Sequence, residues 1–144
     1  EHDGPIPEAF RAAIGNRIYG CDDCQLVCPW NKFAQRNALP DFDARPGLAG
    51  SQLAVLFAWT EAEFLRYTEG GPIRRIGHER WLRNVAVALG NALRATGSAE
   101  VRAALQARAN DASALVQEHV AWALAQAPIA APLTQTADSQ SPAG

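Results

Sequence analysis

The sequence has 144 residues, 48% of them hydrophobic and 19% charged, with a formal net charge of −2. That is enough chain and apolar content to bury a core. It excludes a disordered polymer and a chain that binds polyanions over its whole surface, and no apolar run approaches the ~20 residues that cross a bilayer. Alanine, leucine and arginine recur, isoleucine and threonine are sparse and methionine is absent, a balance that predicts a mainly α fold. No Met stands first, and no charged, apolar leader opens the chain at Glu1-His2-Asp3. The expectation is a cytoplasmic protein without membrane contact, of which this sequence is the C-terminal part.

Taken in order, Pro5-Ile6-Pro7 leads into Glu8–Ile14. Proline suits the first helical position, Glu8 suits the positive end, and Gly15 suits the C-cap. Phe10 and Ile14, four residues apart, predict one apolar face. Asn16 to Gly20 then delivers the chain to its three cysteines, Cys21, Cys24 and Cys28, followed by Pro29.

The spacing C-x2-C-x3-C-P matches the last three cysteines of the bacterial ferredoxin run C-x2-C-x2-C-x3-C-P, with Ile18 where the first would stand. Cys21 and Cys24 are near enough to bind two corners of one cubane. Pro29 turns the chain so that Cys28 can face another. A cubane takes four ligands, so the remainder would come from elsewhere in a larger protein. Other chemistries also use thiol groups. Structural zinc uses C-x2-C but needs a second ligand pair, and His2, His78 and His119 are scattered. A radical S-adenosylmethionine site has the reverse order, C-x3-C-x2-C. A redox C-x-x-C pair leaves Cys28-Pro29 unexplained.

One further helical turn is expected over residues 31–36. Residues 1–36 read as the end of a ferredoxin-like iron–sulfur domain, and Pro40, Pro46, Gly47 and Gly50 mark residues 37–50 as a linker. Ser51 can cap the next helix. Thr60 and Glu63 form a capping box, and Gly70-Gly71-Pro72 ends the helix that follows. Trp81, Leu82, Val85, Ala86 and Leu89 give an apolar helix face that weakens at Gly90-Asn91. Ser98 and Asn110–Ser113 open two more helices. Val85 and Leu89 align with Val120 and Leu124 at an offset of 35, which suggests HEAT-like hairpins over residues 51–126. Residues 127–144 lack an apolar period and read as a disordered tail.

Between Pro72 and Asn84 stand Arg74, Arg75, Arg80 and Arg83 against the single Glu79, a formal +3. A solvated helix face paired to Glu79 would account for these charges. The functional alternative is a phosphate site, because the guanidinium fork matches phosphate and a helix start adds free N–H groups.

The stretches Ile14–Asn31, Pro72–Arg75 and Arg83–Asn91 closely resemble the C-terminal half of the epoxyqueuosine reductase family, over roughly residues 1–126. The resemblance implies an oxidoreductase that uses cobalamin and two [4Fe–4S] clusters to reduce epoxyqueuosine to queuosine in the tRNA anticodon, acting as a monomer. It implies that Cys21 and Cys24 ligate one cluster, that Cys28 completes the other, and that Cys21 and Asp22 lie near the cobalamin. Glu1, Arg74, Arg75, His78, Arg80 and Arg83 would face the tRNA. The catalytic cobalamin domain of that family has no counterpart in this sequence. The alternative is a ferredoxin-like electron-transfer module joined to a helical docking domain, not itself an enzyme.

Overall fold

The computed structural model describes residues 2–20, 22–35 and 52–126. Glu1, Cys21, Arg36, the linker expected at 37–50, the capping residue Ser51 and the tail expected at 127–144 lie outside the described residues. The described residues are helical, with no strand among them: α1 (Glu8–Ile14), α2 (Asp23–Leu26), α3 (Leu53–Ala58), α4 (Glu61–Tyr67), α5 (Gly77–Thr96), α6 (Ala99–Gln106) and α7 (Ala114–Leu124). Short 3-10 turns, Pro29–Phe33 and Pro72–Ile76, each begin at a proline. No helix among the described residues is long and apolar enough to cross a membrane.

Helix α5 is the axis of the molecule. Its apolar stripe (Trp81, Leu82, Val85, Ala86, Leu89, Leu93) is at most 2% exposed and meets Leu56, Phe57 and Phe64 on one side and Leu105, Val116 and Val120 on the other. Trp81 stacks on Trp59 with ring centres 5.6 Å apart and gives its indole N–H to the Leu56 carbonyl at 3.2 Å. Burying side chains of this size is worth roughly 1.5–3 kcal/mol each. That outweighs the ~1 kcal/mol that glycine costs a helix, so α5 runs through Gly90-Asn91 to Thr96 rather than fading there. Gly90 is where α7 crosses: a Cβ there would stand 2.7 Å from Trp122 and 2.9 Å from Ala123.

Local signals set the other helix starts. The Thr60 hydroxyl accepts the Glu63 N–H while the Glu63 carboxylate accepts the Thr60 N–H at 2.8 Å. These bonds to Thr60 hold the Glu63 carboxyl below its usual pKa. Ser98 and Ser113 cap α6 and α7 by accepting from Val101 and Val116.

Residues 2–19 pack along α5 and α7, and polar side chains fix them there. Phe10, expected inside, is 61% exposed, while Arg11 is the buried residue of α1. Arg11 donates to the Ile6 carbonyl at 2.7 Å, pairs with Glu118 at 2.5 Å and lies over the Trp122 ring. Helix α1 is therefore anchored at α7 by an ion pair whose arginine is buried and whose carboxylate is half exposed, which a count of apolar spacings does not detect.

Candidate functional site

The cysteine loop opens with Asp22 in the left-handed region, φ 54°, a conformation that costs a non-glycine residue free energy. Its carbonyl accepts the N–H groups of Gln25 and Leu26, both at 2.9 Å, which closes the single turn of α2. Asp23, for which no role beyond solvation is expected from the sequence, pairs with Arg17 at 3.0 Å and ties α2 to the strand of chain before it. The Asn31 amide donates to the Gln25 carbonyl at 2.5 Å, so Pro29 begins a turn that folds back on α2.

Cys24 and Cys28 are free thiols, Cys24 exposed and Cys28 half-buried. Neither is enclosed in a core, which is the disposition a ligand needs and a structural cysteine lacks. Among the described residues no three of His, Cys, Asp and Glu converge as a metal set. The third thiol, Cys21, lies outside those residues. A donor set of thiols alone, at C-x3-C before a proline, suits an iron–sulfur cluster. The surrounding apolar side chains Leu26, Val27, Trp30 and Phe33 are 63–79% exposed.

The loop is held from behind by side chains that do not read as functional in the sequence. The Asn84 amide donates to the Ile18 carbonyl at 2.8 Å. Two turns further along α5, the Asn91 amide donates to the carbonyls of Arg11 (2.8 Å) and Gly15 (2.9 Å). The Asn91 carbonyl oxygen is buried and has no hydrogen-bond partner among the described residues. Fully buried His119 donates from Nδ1 to the Leu115 carbonyl and accepts the Ile6 N–H at Nε2 (3.0 Å), which requires the neutral ring. The available signal was two asparagines seven residues apart, two turns and so on one side of α5.

The basic segment divides. Arg74 and Arg75 are exposed on the 3-10 turn before α5. Arg74 makes one long contact, 3.5 Å, to the Leu65 carbonyl, and Arg75 has no hydrogen bond or ion pair among the described residues. His78 donates to the Trp59 carbonyl at 2.8 Å. Arg80 pairs with Asp3 and donates to the Ile76 carbonyl. Arg83 is 4% exposed and donates to the carbonyls of His2 and Gly4, both at 2.6 Å. Glu79, expected as the local partner, instead accepts from Ser113 at 2.5 Å. The structure thus brings Arg80 and Arg83 to the N-terminal segment and leaves Arg74 and Arg75 facing outward.

Comparison with known proteins agrees with this geometry. Residues 1–31 match the family described as a 4Fe-4S double cluster binding domain. The epoxyqueuosine reductase of Alicycliphilus denitrificans is 77% identical over 130 residues, 88% of this chain and 36% of that relative's length. The epoxyqueuosine reductase of Escherichia coli is 53% identical over 126 residues, 88% of this chain and 32% of that protein. Among solved structures, an epoxyqueuosine reductase crystallised with a tRNA-Tyr epoxyqueuosine-modified tRNA stem loop superposes with a TM-score of 0.74 at 31% identity, covering 85% of this chain and 32% of that one. The Bacillus subtilis epoxyqueuosine reductase gives the same values. In sequence and in fold alike, the chain matches a segment of the epoxyqueuosine reductases amounting to about a third of their length.

Proposed function

We propose that the chain is the cysteine-loop and RNA-facing part of an oxidoreductase that reduces epoxyqueuosine to queuosine in a tRNA anticodon. The observation that carries this reading is the loop C-x2-C-x3-C-P, with its two described thiols free and open, on a helical body that matches epoxyqueuosine reductases. Removing an epoxide oxygen to leave an alkene consumes two electrons and two protons and releases water. Two [4Fe–4S] clusters would supply the electrons singly and cobalamin the reducing centre.

This chain's own residues hold and orient. Cys21 and Cys24 would ligate one cluster and Cys28 the other, while Asp22 would lie at the cobalamin side. The Asn84, Asn91 and His119 contacts keep the stretch before the loop in place. The exposed Leu26, Val27, Trp30 and Phe33 would pack against the part of such a protein that this chain does not span. Helices α5 to α7 would act as HEAT-like hairpins. The outward arginines Arg74 and Arg75, with Glu1, His78 and Arg80, would meet the anticodon stem-loop, and the protein would act as a monomer. No group of this chain is assigned as the acid that protonates the leaving oxygen.

Full-length protein carrying this sequence, purified without oxygen, should show broad cluster absorption. Cys24→Ala and Cys28→Ala should each lower its iron content. Unchanged iron in both variants would refute the ligand assignment. Iron at full content with no affinity for the stem-loop would favour the electron-transfer module over the enzyme.

A further inference from the structure

A cleft of about 460 Å³ opens between residues 2–20 and α5, ending at Gly20 beside the cysteine loop. That is the size of a small-ligand site. Its walls are apolar: Ile6, Ile14, Ile18 and Ile76 line it, four of the chain's six isoleucines, with Tyr19 among them. Three guanidinium groups also reach it, and they are not equivalent. Arg17 is neutralised by Asp23 and Arg80 by Asp3. Arg83 has no carboxylate within ion-pair distance among the described residues.

Arg83 is 4% exposed, and its known partners are all neutral: the His2 and Gly4 carbonyls at Nη1 and the Asn84 side-chain oxygen at Nε. Nη2, with two N–H groups, makes no hydrogen bond among the described residues, and it is not counted among their fully enclosed orphan atoms. Burial, and then the neighbouring Arg80 charge, pull the Arg83 pKa down; Asp3 and Glu79 oppose this at longer range. A desolvated cation without a counter-ion is costly unless an anion joins it. An apolar chamber with one such cation suits a ligand with a flat, apolar body and one anionic oxygen group.

We propose that this cleft is a subsite for one nucleotide of a single-stranded RNA segment, its phosphate on Arg83 and its base against the isoleucine wall. The proposal rests on the RNA-binding reading above and adds a pocket that the outward arginines do not form. Phosphate on a guanidinium fork and a base on an apolar or aromatic face are the general means by which single strands are held.

The isoleucines make the test direct. With isoleucine methyl groups labelled in the intact chain, nucleoside 5′-monophosphates should shift Ile6, Ile14, Ile18 and Ile76, while Ile73, outside the cleft, stays still. Anticodon stem-loop RNA should move the same four signals. Ile14→Trp, which adds bulk to the cleft wall and leaves the guanidinium chemistry unchanged, should abolish the nucleotide response. Arg83→Met should weaken it at least tenfold; the Ile14 variant serves if Arg83→Met does not fold. Methyl signals unmoved by millimolar nucleotide would overturn the proposal. So would stronger binding of benzoate together with no response to the stem-loop, which would mark a pocket for a protein carboxylate. Arg75→Ala separates the two levels: it should lower stem-loop affinity yet leave the mononucleotide shifts unchanged. Loss of neither would refute the outer RNA face and leave the cleft to be judged by its own signals.

Discussion

Replacing Gly90 with alanine tests the crossing of α5 and α7. The added Cβ would sit 2.7 Å from Trp122 Cζ3 and 2.9 Å from both Cα and Cβ of Ala123. Carbon atoms in contact settle about 3.5–4.0 Å apart. The tip of the Trp122 ring can swing away, but Ala123 is helix backbone, so α7 must retreat. Retreat loosens Val120 and Leu89, which are both about fully buried. Overpacking of this kind costs about 1–3 kcal/mol, and alanine returns roughly 1 kcal/mol of helix propensity. The net expectation is a loss of up to about 2 kcal/mol and a fall in Tm of up to roughly 8 °C at this size. Thermal and urea unfolding followed by circular dichroism measures both. In a Trp122→Leu background the loss should shrink but persist, because Ala123 remains. A Gly90→Ala protein that gains about 1 kcal/mol, as an uncrowded helix would, refutes the close approach.

The His119 ring is held neutral, and its pKa lies below the usual 6.5. Burial is the main cause; Arg11 and Arg83 reinforce it, and the Leu115 bond and Glu118 oppose it. The unfolded chain therefore takes up the proton more readily, so stability should be complete above pH 6.5 and fall as the pH drops below it. His119→Gln should flatten that slope in urea midpoints measured from about pH 5 to pH 8, and an unchanged slope refutes the assignment. Asn91→Ala leaves the Arg11 and Gly15 carbonyls without their donor, which should cost about 1–3 kcal/mol in denaturant unfolding; a change below about 0.5 kcal/mol, the usual range for surface sites, would mean that α1 is only loosely held. For Arg75→Ala, stem-loop affinity measured against salt should fall, with a logarithmic slope smaller by roughly 0.7–0.9; equal slopes would return Arg75 to the solvated face.

Helices with strong local punctuation were legible before the structure. Thr60 with Glu63, Ser98 and Ser113 mark starts that the backbone obeys, and the Trp81–Leu89 stripe marks the buried face. What failed was local reasoning about residues whose partners are distant in sequence. Phe10 and Ile14 look like a core face, yet α1 docks through Arg11 because its partner is Glu118. Gly90 looks like a weak point, but its missing side chain makes room for α7. Arg80 and Arg83 share one charge pattern with Arg74 and Arg75, and only the position of residues 2–4 separates the inward pair from the outward pair. The thiols were visible as a group from their spacing, whereas the amide contacts that hold the preceding stretch were not, since Asn84 and Asn91 read locally as ordinary helix residues.

The attachment of residues 2–18 has a consequence for the order of assembly. Ile6 bonds His119 across 113 residues, Arg11 meets Glu118 across 107, and Gly4 meets Arg83 across 79. Contacts of such long range form only after the intervening chain has collapsed. During synthesis, α7 must leave the ribosome before the stretch leading to the cysteines can settle. The thiols are therefore exposed on an unanchored segment until α7 has been made. Iron delivered early would meet a pliable loop, and iron delivered late would meet one already aligned by α5.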